Sequence, residues 1–444
     1  MATKLFTPRR LAGVLVGALL LWFAVPTAAG AGPGTVPRCG GSPATMVGTP
    51  GDDVINGTSG ADVIVGLDGR DVISGLGGDD IICGGANPEL LDEDGYPIDE
   101  YIDGGPGDDR LYGGPGRDTL ASSLGDDVLH GGAGPDWVVG VNRDGEQNRG
   151  GFDRLFGDAG DDTLMASTSR AVLHGGPGDD VLEGDDRADQ LFGDEGNDSL
   201  APDAGNDRVS GGPGHDVVDY TRIIEFGSSA SHTTAVTVNL AKGVASGKRF
   251  GTDHIARDVE GAYTGDGNDR LTGNARRNVF YGGYGDRTVV DGRGGRDLLT
   301  FDSENIDGSC CNWVRLDLRS GMGYADSPYG GRTRLRVRNV EDVQGSGEDD
   351  VLRGDDGPNR LIGGTFDRGN FGDGDDLLVG RGGDDVLIGS GDDDDLRGGG
   401  GADRLLGGGG DDRLDGGPGR NRLDGGRGTD TCVNPAVGPS CENP

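Results

Sequence analysis

A large aliphatic residue returns at every ninth position through most of this chain, set between polar neighbours and followed by glycine. From Gly48 the units GTPGDDVIN, GTSGADVIV, GLDGRDVIS and GLGGDDIIC follow without a gap, with Gly at positions 1 and 4, Asp at 6 and Ile at 8. The unit GGPGDDRLY at 104–112 shows what each position does. Its first six residues must turn sharply, and Gly tolerates the positive φ and close backbone approach that a side chain forbids. The next three are extended, with Leu111 pointing one way and its neighbours the other. Two units therefore make a coil of eighteen residues, and stacked coils pair their strands about 4.8 Å apart. Leu111, Leu120, Leu129 and Val138 then point into a narrow core between two sheets. The predicted fold is all-β: a parallel β-roll solenoid of nonapeptides, two per coil, in several blocks joined by non-repeat β segments.

The blocks span 48–85, 104–139, 148–219 and 345–433. The segment 86–103, with Pro88, Asp92, Glu93, Asp94 and Gly95, reads as a loop insertion, as does 140–147. Degenerate repeats occupy 264–300 and the start of the last block, where Asn278, Arg287 and Asn359 stand in the Asp place. The unit at 166–174 keeps Leu173 but lacks Asp at position 6. Two stretches, 220–263 and 301–344, leave the register and look like copies of one another. Val236, Val238, Leu240 and Gly243 match Val314, Leu316, Leu318 and Gly321, and Val259-Glu260 matches Val340-Glu341. Their alternating apolar positions predict strands that extend the sheet. Residues 434–444 form a tail.

Composition narrows the picture. The 444 residues include 93 Gly, only 33% hydrophobic and 5% aromatic residues, and 77 acidic against 40 basic residues, a net charge of −37. That is too little apolar material for wide cores, and such acidity favours disorder unless something neutralises it. Gly does not recur every third residue, which excludes collagen. The negative field repels nucleic acid and anionic membranes and attracts cations. Lys4, Arg9 and Arg10, the apolar run at 11–25 and the small residues at 29–31 read as an export signal, so 1–31 is expected to be a cleaved signal peptide and the mature chain to be secreted. The general and twin-arginine routes both stay open. Export predicts disulfides for the six cysteines: Cys39 with Cys83, Cys432 with Cys441, and Cys310 and Cys311 either bridged together or paired elsewhere.

The chemistry lies in the turns. Asp at position 6 falls above its equivalent eighteen residues on, as Asp109 over Asp127 and Asp118 over Asp136. Stacked carboxylates repel. A Ca²⁺ between consecutive turns removes the repulsion, taking both carboxylates and the carbonyls exposed by the Gly turns in a shell of six or more oxygens at about 2.3–2.6 Å. Mg²⁺ fits less well, since it needs a tighter octahedron and holds its waters. The candidate ligands are Asp53, Asp62, Asp71, Asp80, Asp109, Asp118, Asp127, Asp136, Asp162, Asp180, Asp189, Asp198, Asp207, Asp216, Asp376, Asp385, Asp394, Asp403, Asp412 and Asp430.

These residues at this spacing resemble the haemolysin-type calcium-binding, repeats-in-toxin (RTX) family, whose unit is GGxGxDxUx with U a large aliphatic. The resemblance covers about two-thirds of the chain. It implies a parallel β-roll with Ca²⁺ in its turns, unfolded without the ion and folded outside the cell. Two features depart from the family pattern. Many members use a C-terminal export signal, whereas this chain shows an N-terminal one. Many also carry a catalytic or pore-forming domain beside the repeats, and the longest non-repeat stretches here are about 44 residues.

Other chemistries find little support. There is no HExxH and no GxSxG, and the glycines at 243 and 247 before Lys248 make a phosphate-loop lookalike that is one residue short. Arg332, Arg334, Arg336 and Arg338 alternate along one strand and read as a solvated face, or as a contact for an acidic surface such as a neighbouring Asp-rich block. The expected function is that of a non-enzymatic, secreted calcium-binding protein with a structural or adhesive role, its partners being calcium ions and a cell-surface or extracellular polymer. The rival is a secreted hydrolase or polysaccharide-modifying enzyme with the repeats as an appendage. Linkage predicts loss of fold on chelation and at acid pH, because protonated Asp cannot hold the ion.

Overall fold

The computed structural model describes residues 36–87, 100–140, 151–166, 170–221, 235–265, 267–283, 285–301, 313–326, 331–364 and 374–434. The expected signal peptide and tail lie outside them. Every regular element among the described residues is a β-strand, and none is a helix long and apolar enough to cross a membrane.

Consecutive strands alternate between two parallel sheets. One holds Val63–Asp68, Ile81–Ala86, Arg110–Pro115, Val128–Ala133 and their successors; the other holds Val54–Asn56, Val72–Ser74, Glu100–Asp103, Asp118–Ala121 and theirs. Pairing joins equal repeat positions. Ile64, Ile82, Leu111, Leu129, Leu155, Leu173 and Leu191 are successive partners in the first sheet. Ile73, Ile102, Leu120, Val138, Leu164, Leu182 and Leu200 are successive partners in the second. All of these are fully buried. Each turn delivers one aliphatic side chain to the interior, so the core is two files of residues facing each other. Burying each side chain is worth about 1.5–3 kcal/mol, but contacts are confined to a coil and its immediate neighbours, as in other repeat stacks.

The two non-repeat stretches extend one sheet, by a route that the strand pattern did not reveal. Val236–Asn239, Val244–Gly247 and Gly251–Ile255 form an antiparallel meander. Its last strand pairs in parallel with Arg208–Ser210 and its first with Arg270–Thr272. Trp313–Asp317, Met322–Asp326 and Arg332–Arg338 repeat the device between Arg287–Asp291 and Val351–Arg353. In the opposite sheet each copy contributes a single strand, Val259–Tyr263 or Asp342–Gln344. The roll therefore passes through both segments without a break in pairing.

Two sequence expectations need correction. The segment 86–103 is not all loop: Glu100–Asp103 is a strand of the second sheet, with Ile102 buried in the core file. Counting back nine from Gly104 places Glu100 at position 6 and Ile102 at position 8 of a further unit, whose acid is Glu instead of Asp. Arg287 is also not in the Asp place. Val290, not Val289, pairs with Leu271, and Thr288 is the buried residue. One extra residue in this unit moves the Asp place from 287 to 288, so that counting nine from Asn278 lands on the opposite face of the strand. That turns a guanidinium outward where burial would leave its charge uncompensated.

At the N-terminal end, Arg38–Cys39 and Ser42–Pro43 form a small hairpin, and Cys39 is disulfide-bonded to Cys83, Cα to Cα 5.7 Å. Cys432 is disulfide-bonded as well; Cys441, Cys310 and Cys311 lie outside the described residues.

Candidate metal centre

Position 6 stands at the start of the strand that follows each turn or within one residue of it. Its side chain folds back under the turn, where the position-8 aliphatic and the next coil shut out water. Asp71, Asp80, Asp109, Asp118, Asp127, Asp136, Asp162, Asp180, Asp189, Asp198, Asp207, Asp216, Asp376, Asp385, Asp394, Asp403, Asp412 and Asp430 are all buried, as is Asp62, while Asp53 near the first coil is half-buried.

Successive carboxyls are linked by a ladder, each position-6 N–H donating to Oδ1 of the next residue in its column. Asp62, Asp80, Asp109, Asp127 and Asp153 form one run, with N–H···Oδ1 distances of 2.8, 2.8, 2.9 and 3.1 Å. Ala171 interrupts it, and its N–H donates to Asp189, which donates to Asp207 and that to Asp253. Asp53 donates to Asp71 in the opposite column, whose later members Asp118, Asp136, Asp162, Asp180, Asp198 and Asp216 are linked at 2.7–3.0 Å. Beyond the meanders, Asp350, Asp376, Asp394, Asp412 and Asp430 form one run, and Asn359, Asp385, Asp403 and Asn421 the other. Between some coils the sequence step lengthens from 18 to 26 or 29 residues, and the columns continue across it.

The second oxygen separates two kinds of turn. In the first kind, position 2 has ordinary backbone and its N–H caps the side chain at position 6. Thr49 caps Asp53, Thr58 caps Asp62, Asp185 caps Asp189, Ser346 caps Asp350, Asn274 caps Asn278 and Asp355 caps Asn359. In the second kind, position 2 has positive φ, as at Leu67, Leu76, Gly105, Gly132, Asp158, Gly176, Asp194, Asp203, Gly212, Arg293, Arg381, Gly399 and Gly408. There the N–H does not reach the carboxylate. Oδ2 of Asp71, Asp80, Asp109, Asp136, Asp162, Asp180, Asp198, Asp207, Asp216, Asp297, Asp385, Asp403 and Asp412 is then buried without a hydrogen-bond donor among the described residues. We call the two kinds capped and open.

An open turn gathers oxygen. A methyl carbon placed on Gly131, at position 1, would lie 2.5 Å from Oδ2 of Asp136 and 2.8 Å from the Gly157 carbonyl of the next coil. Only glycine leaves that space, and what faces it is a carboxylate and a carbonyl, donors of the kind a hard cation takes. Burial, reinforced by the neighbouring carboxylates, pushes Asp109, Asp136 and Asp180 up to about 8 and Asp127, Asp216, Asp385 and Asp412 to about 7. Ionised at neutral pH, such a column requires a compensating cation. Among the described residues no three acidic, His or Cys side chains converge on one point, so backbone carbonyls must supply much of any coordination shell. A family model of the RTX calcium-binding nonapeptide repeat (4 copies) matches residues 45–66, 56–87, 103–138, 149–168, 174–209, 203–220, 263–286, 341–367, 372–405 and 397–432, more than half of the chain. The chain belongs to the RTX calcium-binding repeat family. No curated protein matches it.

The cation of RTX repeats is Ca²⁺, and the open turns of this RTX roll fit it. Where the position-6 residue is an amide, the chain fills the place itself. Nδ2 of Asn421 donates to the Gly416 and Gly417 carbonyls of its own turn at 2.7 and 2.9 Å, and Nδ2 of Asn278 and Asn359 donate to the carbonyls of Glu260 and Glu341. Asp253, where the first column enters the meander, takes the Tyr220 hydroxyl at 2.8 Å on its second oxygen.

Several buried acids escaped the sequence reading. Asp153, Asp269, Asp297 and Asp350 all stand at position 6 of a unit with an aliphatic at position 8. That pairing alone identifies them, even where the Gly positions have decayed. A second ladder, at position 5, was also missed. The N–H of Asp108 donates to Asp79 and that of Asp126 to Asp108, and Asp375, Asp393 and Asp411 donate in turn to Asp349, Asp375 and Asp393. These carboxylates are exposed.

Proposed function

We propose that this is a secreted, non-enzymatic RTX protein whose roll assembles outside the cell as Ca²⁺ enters the open turns, and which then serves a structural or adhesive role. The ligands in this reading are Asp71, Asp80, Asp109, Asp118, Asp136, Asp162, Asp180, Asp198, Asp207, Asp216, Asp385, Asp394, Asp403, Asp412 and Asp430, with position-1 carbonyls of adjacent coils, and, by their place in the repeat alone, Asp127 and Asp376. Asp53, Asp62 and Asp189 are left out because their own turns already satisfy the second oxygen. The observation that carries the reading is the file of buried Oδ2 atoms facing glycine-lined space. Bound there, Ca²⁺ supplies positive charge and a flexible, high-coordination oxygen shell. The chain's residues do the rest. Oδ1 stays committed to the backbone ladder, Gly at position 1 keeps the space open, and the position-8 aliphatics exclude water.

Secretion is supported by the basic and apolar run at 4–25, and the absence of catalysis by a sequence that is mostly repeat with only short segments outside it. The test is circular dichroism at pH 7.5 with Ca²⁺ and after EDTA. Strong β signal with Ca²⁺ should collapse on chelation and return on adding the ion back. A signal unchanged by exhaustive chelation would overturn the proposal.

A further inference from the structure

On a chain of net charge −37, one sheet face is basic. The second meander and its neighbours turn Arg270, Arg287, Arg315, Arg332, Arg334 and Arg336 outward, all exposed. Cross-strand pairing sets Arg287, Arg334, Tyr324 and Arg315 side by side in one row along the stack. Arg270, Val289, Arg336 and Met322 form the adjacent row. The Arg315 and Arg332 guanidinium groups lie 4.9 and 5.0 Å from the Trp313 ring centre, and Tyr324 and Met322 are 42% and 55% exposed. Arg287, Arg334 and Arg336 form no ion pair among the described residues, although Arg338 beside them binds Asp291 and Arg381 binds Asp317.

The counterpart is on the same molecule. The position-5 ladder Asp349, Asp375, Asp393 and Asp411 is an exposed row of carboxylates in which one oxygen of each of the first three is held by the next coil's N–H at 3.0, 3.1 and 2.7 Å. The aspartate ladder advances by one strand spacing per step, about 4.8 Å, and the arginines lie on whole multiples of the same spacing, Arg287 and Arg334 on adjacent strands and Arg315 one strand beyond Tyr324. Their pitches match by construction, because the same backbone hydrogen bonds set both. We propose that the arginine face of one molecule binds the position-5 aspartate ladder of a second copy. A flexible polyanion could satisfy the charges too, but it would have to be ordered on binding, whereas this ladder is already held in register. The two surfaces are different, so the contact is heterologous and propagates from copy to copy instead of closing as a dimer. Guanidinium–carboxylate pairs exposed at such a contact are screened by salt.

The experiment uses full-length protein saturated with Ca²⁺, in sedimentation velocity at about 20 mM and about 500 mM NaCl. Weight-average mass should rise with concentration to about twice the monomer or more at low salt, and return to monomer at high salt. Two variants are made: Arg287→Gln, Arg315→Gln, Arg334→Gln and Arg336→Gln together, and Asp349→Asn, Asp375→Asn, Asp393→Asn and Asp411→Asn together, Asn keeping the acceptor oxygen of the ladder. Each alone should be monomeric, with unchanged β signal and Ca²⁺ stoichiometry, which separates failure here from failure of the calcium reading. Mixed, they should form a 1:1 complex that grows no further, because each retains one competent surface. A monomeric native protein at low salt overturns the proposal, as does association that survives in either variant. Capture of soluble polygalacturonate by the arginine face without self-association would assign that face to a polymer and overturn it equally.

Discussion

Asp62 and Asp180 occupy the same repeat position, yet their side chains differ in what the residue four places earlier does. Thr58 turns its N–H and hydroxyl onto Asp62 at 2.7 and 2.9 Å, whereas Gly176, at φ 113°, turns its N–H away and leaves Oδ2 of Asp180 buried without a donor among the described residues. A carboxylate capped by its own turn has little to gain from a cation, while one that is not has no other compensation. Asp180→Asn should therefore lower calorimetric Ca²⁺ stoichiometry by about one to two ions, since each open-turn carboxylate borders the coils on both sides. Asp62→Asn should leave stoichiometry unchanged; equal losses in the two variants would refute the distinction between capped and open turns. This distinction was not legible in the sequence. Glycine at position 2 suggests an open turn, but Leu67, Leu76, Arg293 and Arg381 adopt the same positive φ at a cost of roughly 1–2 kcal/mol each. Stacking on adjacent coils imposes that conformation, so local propensity does not report it.

At the scale of the turn and strand, the constraint comes from how closely coils approach. Position 1 leaves no room for a side chain at Gly131, although Ser122 and Pro202 hold that place in other units: a methyl on Gly131 meets both Oδ2 of Asp136 and the Gly157 carbonyl, while a methyl on Gly409, at position 3, meets nothing within 4 Å. Gly131→Ala should cost about 2–4 kcal/mol in thermal unfolding of the Ca²⁺-loaded protein, against about 0.5 kcal/mol or less for Gly409→Ala. Equal effects would mean that the cradle has room to relax. The nine-residue phase made most strands readable, because position 8 fixes which side chain is buried and position 6 which acid lies beneath the turn. It failed where length changed. The extra residue near Arg287 shifted the register, and Glu in place of Asp at position 100 concealed the strand at Glu100–Asp103. Columns formed across inserted residues were equally hidden. Tyr112, His130, Phe156, His174 and Phe192 stack with ring centres 4.5–5.4 Å apart, an adjacency visible in sequence only once the inserted residues at 140–147 are discounted.

For the roll as a whole, the competition is between protons and calcium for one set of buried carboxylates. The sequence alone argued that acid should unfold the protein by releasing the ion. The burial of the columns divides that expectation in two. In chelated protein, the folded-state pKa values of Asp109, Asp136 and Asp180 stand at about 8, against an unfolded value near 4. The folded form then binds more protons than the unfolded form between those limits. Its stability is fully present below pH ~4 and is lost as pH rises through about 8. With Ca²⁺ in excess the carboxylates stay ionised, so stability should be nearly flat from pH 8 to 6 and should fall as protons displace the ion. Circular dichroism titrations should therefore slope in opposite directions: β signal in EDTA rising as pH falls from 8 to about 4.5, and thermal stability in Ca²⁺ declining over the acid part of the same range. The two curves converge in acid, where protonated Asp neutralises the columns without the metal. If the chelated chain stays unordered at every pH, charge repulsion is not what keeps it open, and calcium must instead contribute coordination geometry that protonation cannot replace.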